Sequence, residues 1–430
     1  METFAYTLNF AIPAFILLMA IEAIVAKVKK QKVVNSMDTI SSLSAGFTNV
    51  VKDVLGLVIK IAVYAWLVDK IALFEIPFTW LSVVIAFIYL DFVGYWVHRL
   101  EHRVNYFWNR HIIHHSSEEY NLACALRQSI SRFTTITSIL LIPMALVGVP
   151  YEVYAIVAPV HLFLQFWYHT RLVGKMGFLE KIIVTPSHHR VHHAINDEYM
   201  DKNFAQIFII WDKLFGTFQE EIPDKPAVYG VRRQVNSWNP VIINFQHLGL
   251  IVKDCWRTKS WKDKFWVWFK PTGWRPADVV EKYPVKYISN PYEQKKYMPH
   301  SSLYLKIWAW IQLVVTFTLM LFLFNQLGAI GEPGIYVYGL FLMAVVFSYT
   351  AIMDKAFYAW IASVITSIAG LAIIYIYGGW FTLDNFLPFG TQILTFYFII
   401  SAVVAILFDV FEFRKSSNNY KKIYADNMDN

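Results

Sequence analysis

The chain has 430 residues, of which 57% are hydrophobic, 17% aromatic and only 16% charged, with a net charge of +7 at pH 7. That is too apolar for a soluble globular chain, so the length is better spent on membrane spans than on several soluble domains. The modest positive charge forms no dense basic stripe on a polar background, which argues against nucleic acid as a partner and for anionic lipid headgroups.

The first apolar stretch, residues 4–25, is long enough to cross a hydrocarbon core as a helix. It is followed by Lys27, Lys29, Lys30 and Lys32. A signal peptide carries its charges before the apolar run, so an uncleaved span ending in the cytoplasm is expected. Residues 51–68 and 76–97 follow as a hairpin about the polar turn of Asp69 and Lys70. Residues 133–147 and 151–168 make a second apolar pair, interrupted by Gly148 and Pro150; the first member is short enough for a re-entrant hairpin. The polar region 171–300 is expected to be a cytoplasmic cap. Within it, residues 253–270 interleave Trp256, Trp261, Trp266 and Trp268 with Lys259, Lys262 and Lys264, a composition that suits an interfacial helix or a helix packed inside the cap. Four more apolar runs, 303–327, 335–353, 357–377 and 392–408, lead to a tail with Arg414, Lys415, Lys421 and Lys422. The basic residues therefore fall on one side at three separate points. The expected fold is all-α: a polytopic integral membrane helical bundle with a cytoplasmic helical cap, its active site and C-terminus on the cytoplasmic side.

Thirteen histidines are present, and eleven fall between His98 and His193. His98 and His102 form an HxxxH box; His111, His114 and His115 form an HxxHH box, as do His189, His192 and His193. On a helix, residues three and four apart are neighbours, so each box is expected to aim its imidazoles at one point. Eight imidazoles exceed the four ligands of a zinc site, so two metal ions are implied, and imidazole suits iron, zinc, copper or nickel. Cys124 and Cys255 stand outside any CxxC pair, which excludes a disulfide framework and a thiolate site. His169, at the end of the 151–168 run, is placed to complete the cluster from another element. His188 cannot point the same way as His189 and ranks below it. His161, His247 and His300 stand alone and are expected to be hydrogen-bonded rather than ligating. Asp91, seven residues before His98, lies on nearly the same helical face and is expected to orient that imidazole.

The boxes occur in the order of the fatty acid hydroxylase and sterol desaturase superfamily of membrane di-iron oxygenases, which this sequence resembles over roughly residues 95–218. The flanking text adds to the likeness: Trp96 before His98, Trp108-Asn109-Arg110 before His111, Thr185-Pro186-Ser187 before the third box, and Trp211-Asp212-Lys213-Leu214-Phe215-Gly216-Thr217 after it. Within the superfamily, Ser116-Ser117-Glu118-Glu119-Tyr120-Asn121-Leu122 followed by Ala125-Leu126-Arg127-Gln128-Ser129 looks like the alkylglycerol monooxygenase branch. The resemblance implies two irons held by His98, His102, His111, His114, His115, His189, His192 and His193, with His169 a further ligand. It implies a catalytic role for Glu118, with Asp91 and Asn121 as further candidates, and makes Arg127 a candidate cofactor-binding residue. It also divides the chain into a membrane-embedded catalytic domain over 1–218, a cap over 219–302 and a four-helix transmembrane region over 303–430.

No GxGxxG fingerprint and no CxxCH box is present, so electrons must come from a separate donor. On the alkylglycerol likeness that donor is tetrahydrobiopterin, and dioxygen hydroxylates the ether-linked carbon of a bilayer lipid. Hydroxylation or desaturation of a fatty acyl or sterol-like lipid is the nearest alternative. Two other classes stand beside these: a zinc-dependent lipid hydrolase, against which the number of histidines argues, and a transporter or binding module suggested by the four late spans, near whose ends Asp354 and Asp409 need only a membrane-boundary reading.

Overall fold

A computed structural model describes residues 2–131 and 139–413. The first half of the expected 133–147 stretch and the whole basic tail of Arg414, Lys415, Lys421 and Lys422 lie outside the described residues. Among the described residues the regular elements are helical, with only isolated bridges at Ile183 with Phe208 and Ala194 with Tyr229. Five helices there are long and apolar enough to cross a membrane.

The N-terminal helix α1 runs over Glu2–Val28. Helix α2, Ser36–Ile71, is 36 residues long, twice the span expected from hydropathy. Asn35 caps it by accepting from the Met37 amide at 3.0 Å. The first half of α2 is rich in serine and threonine, and those hydroxyls are satisfied inside the protein. Ser41 donates to the Trp238 carbonyl at 2.8 Å, and the hydroxyls of Ser44 and Tyr349 lie 2.5 Å apart. A buried hydroxyl costs little once it has a partner, so the helix continues where an apolar scan stops.

Helix α3, Trp80–Arg103, opens on a capping box between Thr79 and Ser82 and carries the HxxxH box in its last turns. Val104 breaks the chain, and α4, Asn105–His115, carries the second box. The start of α4 is pinned to the cap by Asn105, whose amide donates to the Lys270 carbonyl at 2.9 Å and whose side chain donates to Val267 at 2.8 Å. Two short helices follow, α5 over Ile142–Val147 and α6 over Tyr151–Phe163. At 13 residues α6 is shorter than a span, and it packs on α3. The third box lies on α7, Pro186–His192, with Pro186 in the first turn and His193 at the C-cap. Helix α8, Ile210–Leu214, closes the loop that follows.

In the cap, the single helix expected over 253–270 is two: α9, Pro240–Arg257, and α10, Trp261–Trp266. Thr258 ends the first and Ser260 caps the second, accepting from Asp263 at 3.2 Å. Ile251 and Asp254 of α9 face inward, while Trp256 and Trp261 are 86% and 84% exposed. One face of α9 thus packs inside the cap, and the tryptophans stand on an exposed face. Helices α11 (Leu303–Asn325), α12 (Gly334–Met353), α13 (Ala359–Tyr377) and α14 (Gly390–Phe408) complete the described chain. They do not stand apart: Met37, Ile40, Phe47 and Val54 of α2 share a core with Met320, Leu323, Tyr338 and Tyr349. In a bilayer such a core is held by close fit rather than by escape from water.

Candidate metal centre

The nine histidines singled out as ligands converge in two adjoining groups. One contains His98, His102, His111, His115 and His192, the other His114, His169, His189 and His193; within each group the facing nitrogens lie within 4.8 Å of one another. The boxes do not map onto the groups one for one, which corrects the expectation that each box aims at one point. An α-helix turns about 100° per residue, so position i+4 lies about 40° from i while i+3 lies about 60° to the other side. His111 and His115 therefore stay together, as do His189 and His193, while His114 and His192 cross to the opposite group. Each HxxHH box straddles both groups and ties them into one centre, with the His115 and His193 rings stacked at 4.3 Å.

The nitrogens that face inward are the Nε2 atoms. In the first group His98 and His111 approach to 2.9 Å, and His115 lies 3.1 Å from both His102 and His192. In the second, His169 lies 3.3 Å from His114 and 3.0 Å from His189, which is 3.1 Å from His193. The outward nitrogens show what the inward ones carry. Nδ1 of His98 donates to the Phe204 carbonyl at 2.7 Å, His192 to Lys202 at 3.0 Å, His169 to Gln165 at 2.9 Å and His114 to Arg127 at 3.3 Å. His111 Nδ1 is 3.3 Å from the Glu101 carboxylate. A carbonyl only accepts, so these Nδ1 atoms hold the proton and their Nε2 atoms present lone pairs. Burial, reinforced by neighbouring imidazoles, holds His111, His115, His189 and His193 well below the usual histidine range, and brings His169 down to about 3. The rings are therefore neutral, and lone pair faces lone pair in the His98–His111 and His114–His169 pairs. No hydrogen bond reconciles such a contact; a cation between the nitrogens does. Nitrogen ligands about 2.1 Å from a shared ion and at right angles to each other stand about 3.0 Å apart, which matches these separations. The donor set fits two imidazole-bound metal ions.

The surrounding sequence matches the family model described as Fatty acid hydroxylase over residues 83–217. Alkylglycerol monooxygenase of Xenopus tropicalis is 35% identical over 317 residues, covering 72% of this chain and 69% of that protein. The chain belongs to the fatty acid hydroxylase family, on its alkylglycerol monooxygenase branch. The human alkylglycerol monooxygenase is 41% identical over 272 residues, 62% of this chain and 60% of the human protein, so the chain spans less than two thirds of that relative. Ornithine lipid hydroxylase OlsE of Rhizobium tropici is 29% identical over 151 residues, 34% of this chain and 44% of that protein. No solved structure matches.

Of the other candidate residues of this family member, Asp91 meets a different geometry from that expected. Asp91 does not orient His98, whose Nδ1 is taken by the Phe204 carbonyl. Its carboxylate accepts from His161 at 2.8 Å, from the Ile207 and Phe208 amides at 2.9 and 3.0 Å, and from the Trp211 indole at 2.8 Å. It acts on the loop that follows the third box. Glu118 accepts from Gln234, Gln294 and the Tyr297 amide rather than from an imidazole, stitching the catalytic segment to the cap; burial pushes its carboxyl up. Gly230, at φ +118°, makes room for it, since a Cβ there would stand 3.2 Å from Glu118 Cγ. Asn121 caps the turn that follows it, accepting from Ala123 at 3.1 Å, and donates to the Val33 carbonyl at 2.7 Å. The Arg127 guanidinium is held by Ser42, Ser116 and Asp38, so each of its nitrogens is engaged inside the protein; only its carbonyl touches the centre, through His114.

Among the isolated histidines, His161 and His247 are hydrogen-bonded to Asp91 and to the Asn105 carbonyl, as their lack of box spacing suggested. His188 lies outside both groups: its Nδ1 accepts from the Thr185 amide at 3.4 Å and completes a capping box on α7. His188→Ala is therefore expected to cost about 1–2 kcal/mol of stability, the worth of a helix cap, while metal content stays unchanged. Thermal unfolding and elemental analysis of the same preparation check this together. Sequence reasoning missed Glu101, although a carboxylate inside the HxxxH box was there to be noticed. It also missed Asp212, which anchors the loop carrying the Phe204 and Lys202 carbonyls.

Proposed function

We propose that the chain is a membrane-embedded, dioxygen-dependent di-iron monooxygenase that hydroxylates a lipid carbon–hydrogen bond, with the ether-linked carbon of an alkylglycerol-type lipid as its target. The observation that carries this reading is the inward convergence of nine imidazoles in two adjoining sets, one of five and one of four. Five nitrogen donors in one set exceed what a zinc hydrolase needs, since catalytic zinc keeps three protein ligands and an open position. The names of the relatives on the alkylglycerol branch support the ether lipid as substrate.

Iron held by these imidazoles would supply the reduction of dioxygen and the oxidant for the lipid. In the balanced reaction one oxygen atom enters the carbon–hydrogen bond and the other leaves as water, with two electrons and two protons from an external reductant, for which tetrahydrobiopterin is the candidate. The hydroxylated ether carbon is a hemiacetal, which collapses to an aldehyde and a glycerol derivative. The protein's part is to hold the donors. The carbonyls of Phe204, Lys202, Gln165 and Arg127 keep four Nε2 lone pairs aimed inward. Neutral imidazole ligands would leave the positive charge of two bound cations uncompensated by the protein. The lysines and arginines flanking the spans favour a cytoplasmic centre fed laterally from the bilayer.

The test is metal analysis of anaerobically purified protein with Mössbauer spectroscopy, followed by oxygen uptake with an alkylglycerol and tetrahydrobiopterin. Two irons per chain and aldehyde formation coupled to oxygen uptake are expected. Zinc as the only metal, with lipid cleaved in the absence of oxygen, would replace this reading with a hydrolase.

A further inference from the structure

A cavity of about 410 Å³ leads from the metal centre into the cap. His102, His115, His192 and His193 of the centre are among its lining residues. Apolar and aromatic groups, among them Trp108, Val231 and Trp274, also line it, together with Arg233 and Thr272. Those last two stand out, because Arg233 Nη1 and Thr272 Oγ1 are buried and have no hydrogen-bond partner. The other guanidiniums at the cavity are already neutralised: Arg275 holds Asp254 through two bonds of 2.6 and 2.8 Å, Arg232 pairs with Asp197, and Arg103 pairs with Asp201 at 2.7 Å. Arg233 reaches only the Gln246 carbonyl, at 3.4 Å, and no carboxylate pairs with it among the described residues. Arg233 and Thr272 are each half-buried, and a guanidinium with no carboxylate partner beside three that are paired suits an anionic ligand. Both residues line the same cavity.

We propose that this cavity takes the oxyanion headgroup, phosphate or carboxylate, of a single-chain lipid, with Arg233 and Thr272 as the residues that select for it. The inference rests on the reading of the chain as a lipid oxygenase and names the substrate class of that same site. Guanidinium and hydroxyl together suit an oxyanion, which offers several acceptor oxygens at once. The apolar part of the lining suits the first carbons of a lipid, and the four histidines in the same lining would bring those carbons close to the metal centre. The outer side of the cavity wall points to the source of the ligand. Ile251 and Asp254 of α9 line the cavity, whereas Trp256 on the same helix and Trp261 and Phe265 on α10 are exposed beside the exposed Lys253, Lys259 and Lys262. Aromatic rings between lysines are the composition of a surface that lies in a headgroup layer.

The test measures binding of labelled single-chain alkyl glycerophosphate, fatty acid and neutral alkylglycerol to the detergent-solubilised full chain. Arg233→Gln is expected to lower the affinity ratio of anionic over neutral lipid at least about tenfold, the worth of one charged hydrogen bond. Thr272→Val should lower it less, and Arg233→Lys should restore part of it. The phosphate and fatty acid arms say which oxyanion is preferred, and inorganic phosphate should displace neither lipid at equal concentration. Displacement by inorganic phosphate alone, displacement by a reduced pterin, or an equal loss for charged and neutral lipids would each overturn the proposal. Size-exclusion behaviour and metal content identify a variant that has failed to fold, in which case Thr272→Val decides. Selective binding without lipid oxidation by the wild type would sink the oxygenase reading alone. Unselective binding with oxidation intact would sink this one alone.

Discussion

If the centre holds two metal ions as proposed, His169→Ala is expected to yield a folded protein that retains about one of them, with lipid oxidation reduced by about a hundredfold or more. The magnitude follows from the outer-shell case, where loss of a group that merely orients a ligand already costs 10–100-fold; loss of a ligand should reach or exceed the upper end. The second group has four donors against five in the first. Removing His169 leaves three, His114, His189 and His193, whereas removing His98 leaves four in its own group. The four-donor site should therefore release its ion first, under milder chelation. His169 is also the member that belongs to no box, held by the Gln165 carbonyl at the end of α6. His300→Ala, at an exposed position, is the control and should change neither metal content nor rate. Elemental analysis of anaerobically purified protein reads the first effect and product formation the second. Two ions and an undiminished rate in the His169 variant would remove that residue from the centre and leave a three-histidine site to be explained.

The ligand set was legible because histidine is rare and its spacing on a helix is informative. Box spacing brought out eight residues, and position at the end of an apolar run brought out His169. What spacing alone did not convey was their division, because a box written as one motif is read as one site. The 100° between adjacent helical residues sends His114 and His115 to different groups. The partners of the outward nitrogens were less legible still. Phe204, Lys202, Gln165 and Arg127 contribute backbone carbonyls, and every residue carries one of those, so side-chain identity gives no sign of the role. Asp91 shows the converse error. Its helical phase relative to His98 was read correctly, but a loop arriving from residues 207–211 took its oxygens first. Long-range contacts of that kind are invisible to periodicity. The same limit applies to α2, where hydropathy marked 51–68 and missed the serine-rich half whose partners lie near residues 127, 238 and 349.

Asp212→Asn is expected to weaken metal retention by about 10–100-fold, the range for a group one step removed from the ligands. Asp212 is fully buried, and its carboxylate accepts from the Phe204 amide at 2.8 Å, the Ala205 amide at 2.8 Å and the Thr217 hydroxyl at 2.7 Å. Those bonds fix a loop in which Asp201 and Asn203, both left-handed at φ +57° and +56°, flank Lys202. The Lys202 and Phe204 carbonyls leave that loop toward His192 and His98, so Asp212 positions two ligands of the first group through two peptide units. An asparagine keeps the shape but turns one acceptor into a donor facing an amide N–H. The loop must then shift or leave a buried donor unpaired, at about 1–3 kcal/mol. Stability alone would not reveal the positioning role, so the comparison is with Asp354→Asn. Asp354, half-buried at the end of α12, accepts from the Trp238 amide and from Ser237 and Tyr297, and it touches no ligand of the centre. Both variants should melt earlier, but only the Asp212 variant should lose metal in a chelator titration, and it should lose it from the five-donor group. Equal retention in the two would make Asp212 a fold residue and nothing more. Selective loss would show that the Trp211–Thr217 segment, far from any histidine in sequence, sets the direction of the His98 and His192 lone pairs.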